Sequence, residues 1–409
     1  MRWRAKYFFA ILNRMPHTKV QPPFFHTAII GAGASGLFCA GSFNAPKIVL
    51  DANSQPARKV AVSGGGQCNF SNRFVSAANY DSQHKHFCKS ALSAFLPDDF
   101  IALLEQAHIP WEERTHGRLF AKNAADIVRF LVRRAKQNST QLALGVRVLA
   151  LRKENDFFIL TTSTGNIRAK NVVLATGGLS FPSLGATSFG LQTARQFGLN
   201  VIEPRPALCG LLWPQELRAR FSGLAGNSLP VTISQGKHRF TDDLLFTHAG
   251  ISGPAVLQLS LYWQAQAPVQ LDFLPGKSAL EILREHKNTP QTISAVFARL
   301  LPGKTARTLL TPCDGPLAQA TREQLQEAAR ILQQFQFQSP ATAGYTKADV
   351  TAGGVDTREL AAATLEVRRV PGLFIIGELT DVTGNLGGFN LHWAWAGAWA
   401  AAQALRKRG

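Results

Sequence analysis

Cys68 has the sequence neighbours that most directly suggest chemistry in this chain. It follows three successive glycines within residues 63–69, whose sequence is SGGGQCN. Because glycine has no Cβ atom, such a run lets the backbone come close to a flat or phosphorylated ligand. A thiol held beside that ligand could donate a proton to it or to its reaction partner. The pattern therefore predicts a bound ligand whose reactive part lies near Cys68.

A dinucleotide-binding turn precedes this segment. Residues 31–36, with the sequence GAGASG, match the glycine fingerprint of such turns, and an apolar strand is predicted before them at 27–30. A short helix follows, and a second predicted strand at 47–50 leads to Asp51, which could accept hydrogen bonds from ribose hydroxyls. The three glycines would turn the chain, admit a pyrophosphate and allow close helix–strand packing, so we predict a dinucleotide ligand.

The other end of the chain distinguishes FAD from NAD. Glu378 follows a predicted strand at 373–377, and residues 387–390, with the sequence GGFN, open a predicted helix. A carboxylate there can bind ribitol hydroxyls, and a helix start can face the pyrimidine side of a flavin. NAD enzymes need no such element at this end, so FAD is the predicted cofactor. Since no second fingerprint marks an NAD(P)H domain, NADH or NADPH is expected to bind transiently as the reductant.

The chain is strongly basic, with a formal net charge of +18. Five of its positive charges lie in residues 1–26, which contain no acid, so most of the excess lies elsewhere. A field of this sign attracts polyanions, which leaves three interpretations: solubility, a nucleic-acid partner or an anionic membrane surface. No apolar stretch approaches the roughly 18 residues of a spanning helix. We favour a nucleic acid and expect no membrane partner.

The cysteines are scattered, and none forms a CxxC pair. This distribution argues against a disulfide framework and a metal site, and it favours a reducing cytoplasm. Residues 1–24 form an Arg-rich extension that we expect to be dispensable, because initiation at Met15 would remove most of it and leave the first strand intact. We expect a monomer.

The predicted fold class is α/β, because nucleotide-binding elements lie at both ends of the chain and a different pattern lies between them. We predict a discontinuous Rossmann-like FAD-binding domain of the two-dinucleotide-binding type, built from residues 25–190 and 345–409. An inserted domain would occupy 191–344, β-rich over 200–275 and helical over 278–340.

Several motifs, taken as a set, make the chain resemble a known family. They are Lys59 with 63–72 (SGGGQCNFSN), 175–182 (ATGGLSFP), 246–254 (FTHAGISGP), 351–355 (TAGGV), 377–383 (GELTDVT) and 384–395 (GNLGGFNLHWAW). The chain resembles the BaiN/YhiN-type (BaiN/RdsA, aminoacetone-oxidase-like) NAD(P)/FAD-dependent oxidoreductases over nearly its whole length. That resemblance implies that the insertion holds a β-barrel and a small helical subdomain.

The fingerprint, the C-terminal motif and the resemblance together define the predicted cofactor-binding residues. They are Gly31, Gly33, Ala34, Ser35, Gly36, Asp51, Ala52, Lys59, Ser63, Gly64, Gly65, Gly66, Cys68, Asn69, Val148, Ala175, Thr176, Gly177, Gly377, Glu378, Asp381, Gly388, Phe389 and Asn390. The chain departs from the family pattern at Gln67, Ser71 and His392, where relatives usually carry Arg, Thr and Gln. An Arg lost beside a flavin would remove a fixed positive charge.

The resemblance implies two classes of activity. One is the FAD-dependent reduction of a uridine in large-subunit ribosomal RNA to dihydrouridine, and the other is a small-molecule oxidoreductase acting on an amine such as aminoacetone or on an ene or steroid-type substrate. Basic segments at 114–136, 218–220, 237–239 and 284–287 favour the RNA.

In the RNA reaction, NAD(P)H would reduce FAD, flavin N5 would deliver hydride to C6 of an extruded uridine, and an acid would protonate C5. Cys68 is the first candidate for that acid and His248 the second. Each also has a structural interpretation: Cys68 as a small residue that fits against the ring, and His248 as a packing residue.

Overall fold

The computed structural model describes residues 22–265 and 267–408. Most of the predicted basic extension, including Met15, lies outside these residues. The strands are β1 (Phe24–Ile30), β2 (Lys47–Asp51), β3 (Asn69–Asn72), β4 (Tyr80–Asp81), β5 (Trp111–Arg114), β6 (Arg118–Ala121), β7 (Thr140–Leu144), β8 (Val148–Glu154), β9 (Phe157–Thr162), β10 (Gly165–Leu174), β11 (Val201–Ala207), β12 (Leu211–Leu212), β13 (Ser228–Gln235), β14 (His238–Phe246), β15 (Gly250–Ser252), β16 (Val269–Asp272), β17 (Phe335–Phe337), β18 (Val350–Val355), β19 (Leu373–Ile375) and β20 (Thr383–Gly384). The helices are α1 (Ala34–Ala40), α2 (Arg58–Gly66), α3 (Lys89–Ala94), α4 (Pro97–Gln106), α5 (Ala124–Gln137), α6 (Phe189–Gln196), α7 (Gln215–Phe221), α8 (Pro254–Ser260), α9 (Ala279–Glu285), α10 (Ile293–Phe297), α11 (Gly303–Leu310), α12 (Arg322–Gln333) and α13 (Phe389–Arg406).

The largest sheet is mixed and has the strand order β7-β2-β1-β10-β9-β8, with β19 also paired to β10. Strands β7, β2, β1, β10 and β19 are parallel. Strands β8, β9 and the first half of β10 form an antiparallel meander. The carboxyl ends of the parallel strands all meet at one edge, which is where open α/β sheets bind their ligands.

The centre of this sheet is buried because its strands are continuous apolar runs. In β1 and β2, the residues from Ala28 to Ile30 and from Ile48 to Leu50 are almost wholly inaccessible to solvent. Such runs are typical of parallel strands covered on both faces. Strand β10 has two parts: its first half pairs with β9, and its second half continues directly into the parallel ladder.

Helix α13 closes the domain against α1. It is apolar all round, and Trp393 and Trp395 on it are at most 1% exposed, as expected for a helix packed on every side. The Trp395 ring lies 5.4 Å from that of Phe38 on α1 and 4.8 Å from that of Phe100. The N-terminal and C-terminal parts of the chain are therefore joined in one core. No helix in the described part of the chain is both long enough and apolar enough to cross a membrane.

A second, antiparallel sheet occupies the middle of the chain, with the strand order β12-β15-β14-β13-β16-β17. Helices α9 to α12 follow β16 and pack on an apolar cluster of their own with this sheet. The hydrogen-bonded path has two end strands, β12 and β17, so a closed barrel is not confirmed. The limits set at residues 191 and 344 stay a prediction.

Candidate functional site

A large cavity lies at the carboxyl edge of the parallel strands. Its volume is about 850 Å³, within the range that small-molecule and cofactor sites occupy. The ends of β1, β2 and β10 form one side of it, α2 forms another, and the residues that precede α13 complete the wall. The segments that the sequence analysis selected separately are thus brought together around one space.

The glycine turn after β1 uses its three glycines for different purposes. A Cβ atom on Gly31 would lie 2.3 Å from the Ala175 carbonyl oxygen, and one on Gly36 would lie 1.9 Å from that of Gly31. These two positions are glycine because the fold itself leaves no room. Gly33 lines the cavity, and no described atom lies within 4 Å of its Cβ position. That space is open to a ligand.

Asp51 ends β2 at the wall of the cavity. One carboxylate oxygen accepts a hydrogen bond from the Ala32 backbone N–H at 2.7 Å. The other accepts from the backbone and side-chain amides of Asn53 at 2.8 and 3.0 Å. The carboxylate therefore connects the glycine turn to the second strand, and its orientation is fixed before any ribose binds.

The glycine run at the end of α2 departs from helical geometry. Gly64, Gly65 and Gly66 have φ values of 55°, 66° and 86°, which lie in the left-handed region that glycine adopts without strain. Gly64 and Gly65 line the cavity, and nothing described lies within 4 Å of the Cβ position of Gly65. The close backbone approach expected from the sequence is available here.

An ion pair crosses the cavity wall between α2 and the segment after β19. Lys59 Nζ lies 2.8 Å from Glu378 Oε2, and both side chains are partly exposed to the cavity. Glu378 Oε1 accepts a hydrogen bond from the Thr351 backbone N–H at 2.9 Å. Nearby, Thr176 Oγ1 is buried and has no hydrogen-bond partner among the described residues, so a polar group is left for a ligand.

The residues before α13 form the far end of the cavity. Gly388 has φ 96°, and a Cβ atom there would lie 2.2 Å from the Ser71 carbonyl oxygen. Asn390 holds this loop by exchanging two 2.8 Å hydrogen bonds with the backbone of Gly384. These bonds hold the start of α13 to β20, and Asn72 of β3 donates a 3.0 Å hydrogen bond to the Gly387 carbonyl oxygen.

Most of the predicted cofactor-binding residues line this cavity. The exceptions are Gly36, Gly66, Cys68, Gly377, Asp381 and Phe389. Gly377 supports the site indirectly, because a Cβ atom on it would lie 2.6 Å from the hydroxyl of the lining residue Ser35. Asp381 is 5% exposed and accepts a hydrogen bond from the Gln83 N–H, a structural role.

Neither predicted proton donor faces the cavity. Cys68 has φ 57°, and its side chain lies in the apolar core, fully inaccessible. Burial raises the pKa of its thiol to about 11. His248 lies in the exposed turn between β14 and β15, away from the lining residues. Neither Cys68 nor His248 is among the residues that line this cavity, and their role as proton donors stays a prediction.

Two of the departures from the family pattern contact each other. Ser71 Oγ lies 2.9 Å from His392 Nδ1, and His392 Nε2 lies 3.2 Å from the Phe95 carbonyl oxygen. His392 is fully buried, which lowers its pKa to about 4 and keeps the ring neutral. It is a packing residue of the core.

The third departure has a charged neighbour. Arg114 donates a 2.9 Å hydrogen bond to Gln67 Oε1, and its guanidinium carbon lies 4.2 Å from the centroid of the Phe120 ring, which lines the cavity. A positive charge thus remains close to the position where the sequence suggested that one was lost. Glu112, 2.5 Å from Arg114, partly neutralises it.

Part of the lining consists of residues that no sequence motif had indicated as cofactor-binding. Arg118 and Phe120 reach the cavity on β6, which pairs with β3 directly after the glycine run. Asn385 and Leu386 reach it from the loop before α13. The last two lie inside a motif that had been recognised, whereas Arg118 and Phe120 have no local signal, since only strand pairing brings them there.

These features fit FAD. The glycine turn and Asp51 suit the adenosine diphosphate half, and Glu378 and the start of α13 suit the ribitol and the ring. The open Cβ positions of Gly33, Gly65 and Gly177, and the unpaired Thr176 hydroxyl, are what a ligand in van der Waals contact with the backbone would require.

Comparisons with known proteins agree with this geometry. Residues 25–404 match the family model described as HI0933-like protein Rossmann domain. A ribosomal RNA dihydrouridine synthase from Escherichia coli is 41% identical over 391 residues, covering 93% of this chain and 98% of that protein. One of the same name from Haemophilus influenzae is 40% identical with the same coverage. A 3-dehydro-bile acid delta(4,6)-reductase from Clostridium scindens is 28% identical, also over 93% of this chain and 98% of that protein.

Proposed function

We propose, since the chain belongs to the HI0933-like Rossmann-domain family, that it is an FAD-dependent oxidoreductase that reduces a uridine of large-subunit ribosomal RNA to dihydrouridine. NADH or NADPH would be the reductant and would bind only transiently. One observation carries the proposal: relatives 40% and 41% identical, matched over 98% of their own length, are both named ribosomal RNA dihydrouridine synthase.

Different residues around the cavity would bind different parts of FAD. Asp51 would bind the adenosine ribose, the backbone around Gly33 would contact the pyrophosphate, and Glu378 would bind the ribitol. The loop that ends at Gly388 would face the pyrimidine side of the ring. A bound FAD, once reduced by NAD(P)H, would supply the hydride that the reduction of the uridine needs.

The reduction also requires a proton, which is added to C5 of the uridine. Saturating the C5=C6 bond takes one hydride and one proton, and NAD(P)H leaves as NAD(P)⁺. Asp349 is a better candidate for the acid than Cys68, because it lines the cavity. The Asp349 side chain is exposed at the cavity, and desolvation by the surrounding wall raises its pKa, against the lowering effect of Lys59 nearby. A raised carboxyl pKa keeps the proton available closer to neutral pH.

The substrate has to come to this cavity as an unstacked base. The C5=C6 bond of a uridine is shielded inside folded RNA, so the base must be extruded before it can lie against a flavin. Gly64 and Gly65 are exposed at the cavity, so the glycine run is accessible from solvent. The net charge of +18 would hold the phosphates, with an affinity that falls steeply as salt rises.

The test uses the FAD-loaded full chain, NADH or NADPH, and large-subunit ribosomal RNA from a strain that lacks this gene. Mass spectrometry of the digested RNA should find new dihydrouridine at a discrete position. The variant Asp349→Asn should slow this reduction by about 10²-fold or more, as expected for loss of a general acid, while NAD(P)H still bleaches the flavin. RNA that stays unmodified with the wild-type protein and both reductants would refute the proposal.

A small-molecule oxidoreductase is the second candidate. It is favoured by the relative named 3-dehydro-bile acid delta(4,6)-reductase, which is only 28% identical. That function predicts turnover of a conjugated enone, or of an amine such as aminoacetone, that is indifferent to ribonuclease and weakly dependent on salt. The RNA reaction predicts the opposite on both counts.

A further inference from the structure

An aromatic stack lies on the inserted sheet close to the cavity. The His238 ring, at the start of β14, is nearly parallel to the Tyr262 ring, with centroids 4.1 Å apart and an interplanar angle of 7°. Phe240, two residues along the same strand, lies 6.0 Å from Tyr262 at 13°. Residues at i and i+2 of a strand share one face, so β14 presents both rings to Tyr262.

Tyr262 connects this stack to the cavity wall. Its hydroxyl donates a 3.1 Å hydrogen bond to Asn385 Oδ1, and the same oxygen accepts from Gln258 Nε2 at 2.9 Å. Gln258 Oε1 in turn accepts from the Leu386 N–H at 2.8 Å. Asn385 and Leu386 both line the cavity. Only the Asn385 side chain thus separates Tyr262 from the end of the cavity where the flavin ring would lie.

The surroundings of the stack are positively charged. Lys237, in the turn before β14, and Arg239, whose long side chain begins on the opposite face of the strand, flank His238 in sequence and are exposed. Burial lowers the pKa of His238, and the nearby Lys237 and Lys85 lower it further. Two acids oppose them: Asp81, which lies 3.6 Å from Arg205, and Asp272, whose pKa burial raises against the lowering effects of the Leu274 backbone N–H and of Arg239. The cations Lys85, Arg205, Lys237 and Arg239 therefore outnumber the acids at this end of the hairpin.

The chemistry of this surface is that of a nucleotide contact. Aromatic platforms stack unpaired bases, and adjacent cations hold the backbone phosphates. Burial lowers the pKa of His238, so the ring is neutral at pH 7 and can stack without desolvating a charge. One face of the ring is covered by Tyr262, and no other aromatic ring among the described residues packs on it.

We propose that His238, backed by Tyr262, stacks a nucleobase next to the uridine that is reduced, while Lys237 and Arg239 hold the adjoining phosphates. This assignment rests on the proposed function and adds the surface that positions the RNA. An adenine of NAD(P)H has the same base-and-phosphate chemistry, so the test has to separate the two sources. We commit to the RNA because Lys237 and Arg239 are exposed at the turn between β13 and β14, and neither they nor His238 lines the cavity.

The experiment measures binding of the FAD-loaded full chain to large-subunit ribosomal RNA from a strain that lacks this gene, over a series of KCl concentrations. His238→Ala should weaken RNA binding by about 5-fold to 150-fold, the usual contribution of one stacked base, and should leave the slope of log K against log[KCl] unchanged. His238→Phe should restore the affinity. The double variant K237Q/R239Q should reduce the slope of log K against log[KCl] by about 1.4, which corresponds to two single-strand phosphates.

The charge-matched control is the double variant R406Q/K407Q, which removes two exposed cations from the end of α13, outside the basic segments, and should leave the slope unchanged. The rate of flavin reduction by NAD(P)H should be the same in all variants. Wild-type affinity and slope in His238→Ala and K237Q/R239Q would overturn the assignment, as would a raised KM for NAD(P)H with RNA binding intact. Failure of the proposed function is a different result, because the wild-type protein would then leave the RNA unreduced however tightly it binds.

Discussion

Replacing Gly33 by alanine should weaken FAD binding while leaving the stability of the apoprotein nearly unchanged. Gly33 precedes α1 with φ −83° and ψ −166°, a conformation that alanine adopts freely. Its Cβ position has no described atom within 4 Å and opens into the cavity. The added methyl group should therefore meet only the ligand.

The magnitudes follow from that geometry. Alanine is a poorer N-cap than glycine by about 0.5–1 kcal/mol, and it recovers about 0.4–1 kcal/mol by restricting the unfolded chain. The free energy of unfolding of the apoprotein should then change by less than about 1 kcal/mol. A methyl group forced into a filled contact costs about 1–3 kcal/mol, so the Kd for FAD should rise by about 5-fold to 150-fold.

The assay is FAD titration of the deflavinated protein, followed by flavin fluorescence, together with denaturant unfolding of the same sample. Gly36→Ala is the contrasting variant: its Cβ atom would lie 1.9 Å from the Gly31 carbonyl oxygen, so it should lose stability even without FAD. Gly315→Ala, with open space around the Cβ position, is the matched neutral control. FAD affinity unchanged in Gly33→Ala would refute the placement of the dinucleotide over this turn.

Three further predictions concern single side chains. Cys68→Ala should keep FAD and the pH profile of RNA reduction, because the thiol is buried away from the cavity; a loss of activity beyond about 100-fold with FAD bound would restore Cys68 as the acid. The pKa of His392 is about 4 in the folded protein and 6.5 in the unfolded chain, so between these pH values the unfolded chain binds more protons. The free energy of unfolding should therefore fall by about 3 kcal/mol as the pH drops from about 6.5 to 4. Urea unfolding of His392→Gln across that window should show a shallower decline, and equal slopes would contradict the assignment. Asp51→Asn should lower the free energy of unfolding by about 1–3 kcal/mol and weaken FAD binding, because an amide N–H₂ would face the N–H groups of Ala32 or Asn53. Calorimetry that shows neither effect would exclude Asp51 as the residue that connects the glycine turn to the ribose.

Much of the site could be predicted from the sequence because it is encoded locally. The glycine turn and Asp51 belong to one continuous βαβ unit, and each residue type follows from its own backbone position. Helix α5 is encoded locally in the same way: Asn123 accepts a hydrogen bond from the Ala125 N–H, and Asp126 lies in the first turn. The resemblance drawn from the dispersed motifs is confirmed by the family model, which spans residues 25–404.

What the sequence could not predict depends on contacts between distant segments. Cys68 follows the glycine run, yet its left-handed φ of 57° turns the side chain into the core, and a sequence carries no sign of that direction. Arg118 lines the cavity only because β6 pairs with β3. Asp349 lies at the cavity, and its pKa is raised by the wall that distant segments complete around it.

The central claim is that this chain reduces a ribosomal uridine with a flavin held at the carboxyl edge of its main sheet. Deleting the gene and mapping dihydrouridine in large-subunit ribosomal RNA tests it most directly. We expect one dihydrouridine to disappear, to return with the wild-type gene, and to return poorly with Gly33→Ala. A dihydrouridine map that is identical with and without the gene would contradict the account.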